Sequence, residues 1–268
     1  MPASPADSAL YRGLFSDDEV HRLFSDSAEI RSMLLVEGAL ARVQGEAGII
    51  PKDAAAFIDR ASREVQIDPA GLADATATNG VVVPGLLAAF RKAAEAPDMM
   101  QYVHWGATSQ DIMDTGLMLR MKRLFELFTN RLDAILDHLG ELADARADMP
   151  MAGRTYGQVA TPTTFGAVVA AWGRPLLRWR DQMAGLRDEC LCVSLSGAAG
   201  TSAAMGPWAP DIRARLAQEL GLVDPCASWH SERDRILRLC DWMAGVTGAL
   251  GKMGEDLILL AQSGHGEI

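Results

Sequence analysis

The stretch SQDIMDTGLMLRMKRLFELFTNRLDAILDHLGELADARAD, residues 109–148, contains no proline, and its only glycines are Gly116 and Gly140. Within it Met113, Leu117, Met121, Leu124, Phe128, Leu132, Ile135, Leu139 and Leu142 recur at spacings of three and four. That period lays an apolar seam along one face of a helix and lies close to the coiled-coil repeat. Forty residues at ~1.5 Å each make a rod of roughly 60 Å, several times the ordinary helix length. Such a rod is stable only among neighbours of its own kind, so the fold class expected is all-α, with a long-helix bundle at its centre.

Two further segments match it towards the C-terminus. A second long helix is predicted from Pro162 to about Glu189, with Pro175 as its kink. A third is predicted from Ser231 to about Gln262, with a seam of Ile236, Cys240, Met243, Thr247, Leu250, Leu257 and Leu260. This helix also carries Gly245, Gly248, Gly251 and Gly254, each costing about 1 kcal/mol of helix propensity against alanine. The cost is tolerable where another helix approaches closely, which places the segment at a crowded bundle centre. One chain covers three such rods poorly, and homo-oligomerisation through the bundle is the expected remedy.

Towards the N-terminus the pattern is of shorter pieces. Ser16-Asp17-Asp18-Glu19 has capping-box form ahead of a short helix over Val20–Phe24. Asp26-Ser27-Ala28-Glu29 repeats the signal and opens a longer helix that ends near Gly45–Gly48. Pro51 suits the first turn of a third helix reaching about Val65, and two shorter ones follow near Ala70–Ala77 and Pro84–Ala94. Residues 1–103 therefore read as a small helical domain, and residues 104–268 as the long-helix bundle domain.

Composition excludes several functions. Apolar residues at 49% and charged residues at 22% describe a globular protein with a sizeable core. The net charge of −10 argues against broad binding to nucleic acid or an anionic membrane, though a locally positive pocket for an anion is compatible with it. Four cysteines, at 190, 192, 226 and 240, are too few and too irregular for a disulfide framework or a structural zinc site. Cys190 and Cys192 read as a packing pair. Met1 to Ser8 lacks the pattern of a secretory leader and no stretch is apolar enough to span a membrane, so a reduced cytoplasmic setting is expected.

Four polar clusters interrupt the rods. In His104-Trp105-Gly106-Ala107-Thr108-Ser109-Gln110-Asp111, Gly106 permits a tight turn and Thr108 or Ser109 can cap the long helix. Free N–H groups and the positive helix end then stand beside hydroxyls and an imidazole, which suits a carboxylate or phosphate. An ordinary N-cap with an incidental histidine explains the same residues. The second cluster, Gly153-Arg154-Thr155-Tyr156-Gly157-Gln158 followed by Ala160-Thr161-Pro162-Thr163-Thr164-Phe165-Gly166, reads as a polar turn ahead of the next rod. The third, Ser196-Gly197-Ala198-Ala199-Gly200-Thr201, lacks a Walker lysine and a βαβ context, so it reads as a structural turn. In the fourth, Trp229-His230-Ser231-Glu232-Arg233-Asp234-Arg235, the charges fit a solvated helix start, while His230 and Arg233 are placed to meet an anion.

In this order and spacing the segments resemble the fumarase/aspartase superfamily. HWGATSQD at 104–111 is similar to its first signature region, and GRTYGQVATPTTFG at 153–166 to its second. LFSDDEVHRLFSDSAEIRSMLLVEGALARVQGEAGIIP, SGAAGT and WHSERDRI at 229–236 are most similar to the branch that lactonizes 3-carboxy-cis,cis-muconate. The resemblance covers nearly the whole chain. It implies a homotetramer whose central bundle shares each active site among subunits, a small polycarboxylate substrate, no metal and no organic cofactor. It implies cytoplasmic catabolism of protocatechuate through the β-ketoadipate route.

The implied reaction adds a substrate carboxylate to a conjugated double bond of the same molecule, giving 4-carboxymuconolactone. By match to the family's motifs, His104, Thr108, Ser109, Thr155 and Gln158 would bind substrate carboxylates, and Arg233 is a further candidate. Lyases such as adenylosuccinate lyase carry a histidine acid where this chain has Tyr156, which favours the lactonizing branch and leaves the proton donor unassigned. The third signature, a loop carrying the superfamily's catalytic serine, is expected beyond Ile268; the 268 residues alone would then have an incomplete bundle and little activity. A C–N or C–O lyase of the same fold and a catalytically silent helical scaffold are the alternatives.

Overall fold

The computed structural model describes residues 4–264 and 266–268. Short helices come first: α1 (Arg12–Phe15), α2 (Asp18–Phe24), then the longer α3 (Asp26–Glu46) and α4 (Lys52–Glu64). They are followed by α5 (Ala73–Asn79), α6 (Val83–Ala94) and α7 (Pro97–Met100). The rod α8 spans Ser109–Ala145, and two strands, β1 (Pro150–Thr155) and β2 (Gln158–Thr164), form an antiparallel hairpin behind it. The chain continues through α9 (Phe165–Asp181), α10 (Met183–Cys190), α11 (Ala209–Leu220) and α12 (Asp234–Leu260). The all-α class expected from the sequence is thus observed, with one small hairpin inside it among the described residues.

The helix starts differ from expectation by a residue, for a physical reason. At α2 the cap is Asp17, whose carboxylate accepts from the amides of Glu19 and Val20, both at 3.0 Å. At α3 the cap is Ser25, accepting from Ala28 at 3.3 Å. Both Asp18 and Asp26 lie inside the first turn, where their charge complements the helix dipole without capping.

By contact the chain forms two compact units, residues 1–124 with 191–233 and residues 125–190 with 234–268. This grouping follows packing, whereas the expected boundary after residue 103 follows chain order. In unit 1, α3 and α4 lie against each other, and α3 meets the first half of α8 at Gly116, where a Cβ would come 2.9 Å from Ser32 Oγ. Met33, Leu34, Ile58, Leu86, Phe90, Met100 and Ile112 build the core there, all essentially buried. Burial in this half of α8 extends beyond the expected seam: Ile112, Met118 and Phe125 are buried, while Met113 and Leu117 are only partly so. Neighbours on more than one side, not a single stripe, enclose it.

In unit 2, Trp172 of α9 packs edge-on against Phe165 and donates its indole N–H to Asp256 of α12 at 2.7 Å. Phe125 stacks on Trp242, whose indole N–H reaches the carbonyl of Trp179 at 2.8 Å. Two expectations are corrected here. The segment 158–164 is a strand, so the second helix begins at Phe165 and not at Pro162. Pro175 sits within α9, and the interruption falls instead at Gln182, between α9 and α10.

The seam of α12 in this chain is Leu239, Trp242 and Leu260, whereas Cys240, Thr247 and Leu257 of the expected seam are exposed. Gly245 alone of the four glycines abuts another residue, its Cβ position falling 2.3 Å from the Trp179 ring. Gly248, Gly251 and Gly254 face open space. No helix among the described residues is long and apolar enough to cross a membrane.

Candidate active site

Three of the four polar clusters meet in unit 1, and the residue that joins them is Asp111. Three residues into α8, its carboxylate is fully buried and accepts five hydrogen bonds. One oxygen receives Ser194 Oγ at 3.0 Å, the Ser196 amide at 2.9 Å and His230 Nε2 at 2.7 Å. The other receives the amides of Thr108 at 3.0 Å and Gly197 at 2.9 Å. A buried carboxylate is tolerable only when its lone pairs are filled in this way. The bond to Thr108 is the return half of a capping box, so the first turn of α8 supplies its own anion. The helix end is therefore less open than the sequence alone implies.

Asp111 thereby fixes the loop 196–201. Its first two amides are bound to a protein carboxylate, in keeping with the structural turn expected there. Thr115 seals the same junction, its hydroxyl donating to the Ser194 carbonyl at 3.1 Å and accepting the Ser194 amide at 2.8 Å. Gly106 and Gly197 sit back to back, both with positive φ, and a Cβ on Gly197 would come 3.3 Å from the Gly106 carbonyl oxygen. A Cβ on Gly106 itself would fall 2.9 Å from Met205 Cγ, so only glycine fits this turn without displacement.

His104 stands on the other side of the turn in a left-handed conformation, φ 67°. Its Nδ1 lies 2.6 Å from Oε1 of Glu37, a buried carboxylate on α3. One turn pair further along α3, Gln44 donates to the Trp105 carbonyl at 2.7 Å. Burial alone would lower the His104 pKa, but the hydrogen bond and charge of Glu37, with the charge of Asp111, raise it above the ordinary imidazole value. Thr108 and Ser109 are half-buried, and among the described residues neither hydroxyl is engaged in a hydrogen bond. An imidazolium with two hydroxyls at a helix start can hold a carboxylate.

His230 and Arg233, expected to meet an external anion, each meet a protein carboxylate. His230 binds Asp111, and Arg233 grips Asp114 with two nitrogens at 2.7 and 3.0 Å while lying over the Trp229 ring. The hydrogen bonds it donates to Asp114 raise the Arg233 pKa further. The guanidinium is thus paired within the chain, and the pair ties residues 229–233 to α8.

Thr155 and Gln158 belong to unit 2. They pair across the tip of the hairpin, joined by Tyr156 and Gly157 with φ of 50° and 71°. A two-residue turn with both central φ positive has the sense of twist that adjoining strands require. Tyr156 is fully exposed there, and Thr155 and Gln158 are exposed beside it. The loop expected from these residues is therefore a strand–turn–strand unit that presents its polar tip outward.

Asp111, Glu37 and Gln44 were not among the residues expected at the site. Asp111 sits in the motif itself, but the sequence there points to Thr108 and Ser109 and gives it no role. Glu37 and Gln44 carry a clearer signal: two polar residues seven apart among the buried positions of α3, in the company of Met33, Leu40, Ala41 and Val43. Among the described residues no cluster of three or more His, Cys, Asp or Glu side chains is arranged to hold a metal.

A family model described as lyase matches residues 9–268. The chain belongs to this lyase family, within the fumarase/aspartase superfamily. A lyase relative, the 3-carboxy-cis,cis-muconate cycloisomerase of Pseudomonas aeruginosa, is 40% identical over 270 residues, covering 100% of this chain and 59% of the relative. The N-acetyl-S-(2-succino)cysteine lyase of Enterococcus italicus is 32% identical, covering 100% of the chain and 58% of that protein. In structure the chain is similar to the 3-carboxy-cis,cis-muconate lactonizing enzyme of Pseudomonas putida, with TM-score 0.93 and 37% identity over 97% of this chain and 59% of that one. The chain of this lyase-family member thus spans about 59% of the length of the curated relatives it matches.

Proposed function

We propose that the protein is a 3-carboxy-cis,cis-muconate cycloisomerase subunit that closes a lactone by intramolecular addition of a carboxylate to a conjugated double bond. The observation that carries this reading is the 40% identity to such a cycloisomerase along the whole chain. The chemistry asks the protein to hold a polyanion, stabilise the extra charge that develops on a second carboxylate, and protonate the adjacent carbon. His104, Thr108 and Ser109 bind one substrate carboxylate, with Thr155 and Gln158 as further ligands; Arg233 acts by orienting its segment. Residues 1–103 act as an N-terminal domain and residues 104–268 belong to the bundle domain of a cytoplasmic homotetramer in protocatechuate catabolism.

The test is an ultraviolet assay of 3-carboxymuconate with a protein of the relatives' full length that carries these 268 residues. Loss of diene absorbance with formation of the lactone is expected, and replacing Ser109 with alanine should raise KM about tenfold, the worth of one charge-assisted hydrogen bond. The 32% identity to an N-acetyl-S-(2-succino)cysteine lyase favours a second reading, elimination of fumarate from a succinylated thiol. Fumarate release from that substrate, with no change in muconate absorbance, would decide for the second.

A further inference from the structure

We propose that Glu37 is a positioning residue that makes His104 a cationic carboxylate anchor, holding its ring by Nδ1 and leaving Nε2–H as the donor to substrate. The proposal rests on the reading above, in which His104 binds a substrate carboxylate. Glu37 projects from α3 with no side-chain exposure, while the His104 side chain retains 17%. The accessible edge of the pair is therefore the imidazole. A carboxylate can only accept, so the 2.6 Å contact puts a proton on Nδ1 and fixes which ring nitrogen faces away.

Glu37 Oε2 is buried without a hydrogen-bond partner among the described residues. An ionised carboxylate so placed has the imidazole as its hydrogen-bonded counter-charge, and a buried charge lacking a full counter-charge is strongly disfavoured. The arrangement therefore favours the second proton on His104. Three charged groups from three helices act on that ring: Glu37 from α3 and Asp111 from α8 favour the cation, and Arg91 from α6 opposes it. The two carboxylates outweigh the guanidinium. The left-handed backbone at His104, and the Gln44 bond to the next carbonyl, hold the ring against Glu37 rather than letting it swing to solvent. A neutral imidazole would still fill this space, so positioning of charge, not packing, is what the acid supplies.

The experiment measures His104 directly and then its use. The histidine Cε1–H resonance of the 268-residue chain is followed by NMR from pH 5 to 9, assigned by its loss in His104→Gln. In parallel, calorimetry on a protein of the relatives' full length that carries these 268 residues measures binding of tricarballylate, a saturated tricarboxylate that cannot react, at pH 5.5 and 7.5. The wild-type resonance should titrate above the ordinary histidine range, and tricarballylate affinity should fall as that resonance loses its proton. Glu37→Gln should move the titration down and weaken binding roughly tenfold at pH 7.5 with little change at pH 5.5, while Glu37→Asp should restore most of both. A His104 titration at or below the ordinary value in the wild-type chain overturns the proposal, even if Glu37→Gln fails to fold. A raised titration with tricarballylate affinity absent, or indifferent to it, rejects the carboxylate-site reading while leaving the Glu37 effect on the ring intact.

Discussion

Asp111 shows how much one side chain can organise. Its five donors come from the turn before α8, from the loop at 194–197 and from His230, so removing it strands buried polar groups in three segments at once. Asp111→Ala should lower unfolding free energy by about 3–5 kcal/mol, the usual cost of leaving one half of a buried pair unmatched. Urea denaturation followed by circular dichroism measures it, and a loss under about 1 kcal/mol would show the network to be dispensable. The His104–Glu37 pair gives a pH signature of its own. Because the folded-state pKa of His104 is raised, its contribution to stability is complete below the unfolded value of about 6.5 and is lost as pH rises through the folded value. Thermal melts from pH 6 to 9 should therefore slope downward in the wild type, and the slope should flatten in His104→Gln.

Among the elements, the hairpin invites the cleanest separation of stability from activity. Tyr156 occupies a left-handed position that costs a non-glycine residue about 1 kcal/mol or more, and asparagine tolerates it far better. Tyr156→Asn should thus raise stability by about 0.5–1 kcal/mol; a fall in melting temperature would count against the turn geometry. If the tyrosine has been kept for its chemistry, the same variant should lose turnover while it gains stability. The hairpin is also where sequence reasoning came up short, and the cause is physical. Pro162 and the threonines of 161–164 look like a helix start, and proline is tolerated in the edge position of a two-stranded ribbon as well as in a first helical turn. The rod α8, in contrast, was legible over nearly its full length, because thirty-seven residues with no proline and a sustained apolar period leave no competing structure. Asp111 was visible at the end of the motif but not as a hub. Its other donors lie more than eighty residues away, and nothing local to the motif announces them.

At the scale of the molecule, the outstanding feature is the surface of α12. Leu237 is 62% and Ile258 70% exposed, with Leu257 and Leu259 also open and three glycines facing no neighbour. Exposed apolar side chains at both ends of one helix suit an interface between subunits. Replacing Leu237 and Ile258 together with aspartate should shift the chain to monomer, as read by light scattering after gel filtration, without loss of helical signal in unit 1. An unchanged molar mass would place the assembly contact elsewhere.

The uncovered face of α12 also governs how the protein would respond to dilution. If folding and association are one event, mass action ties the melting temperature to the amount of protein present, rising with each increase in concentration. The double aspartate variant would melt at one temperature whatever its concentration. Half-lives measured in dilute assays would then understate those in a crowded cell, because dissociation of the proposed homotetramer would expose Leu237, Ile258 and their neighbours to water.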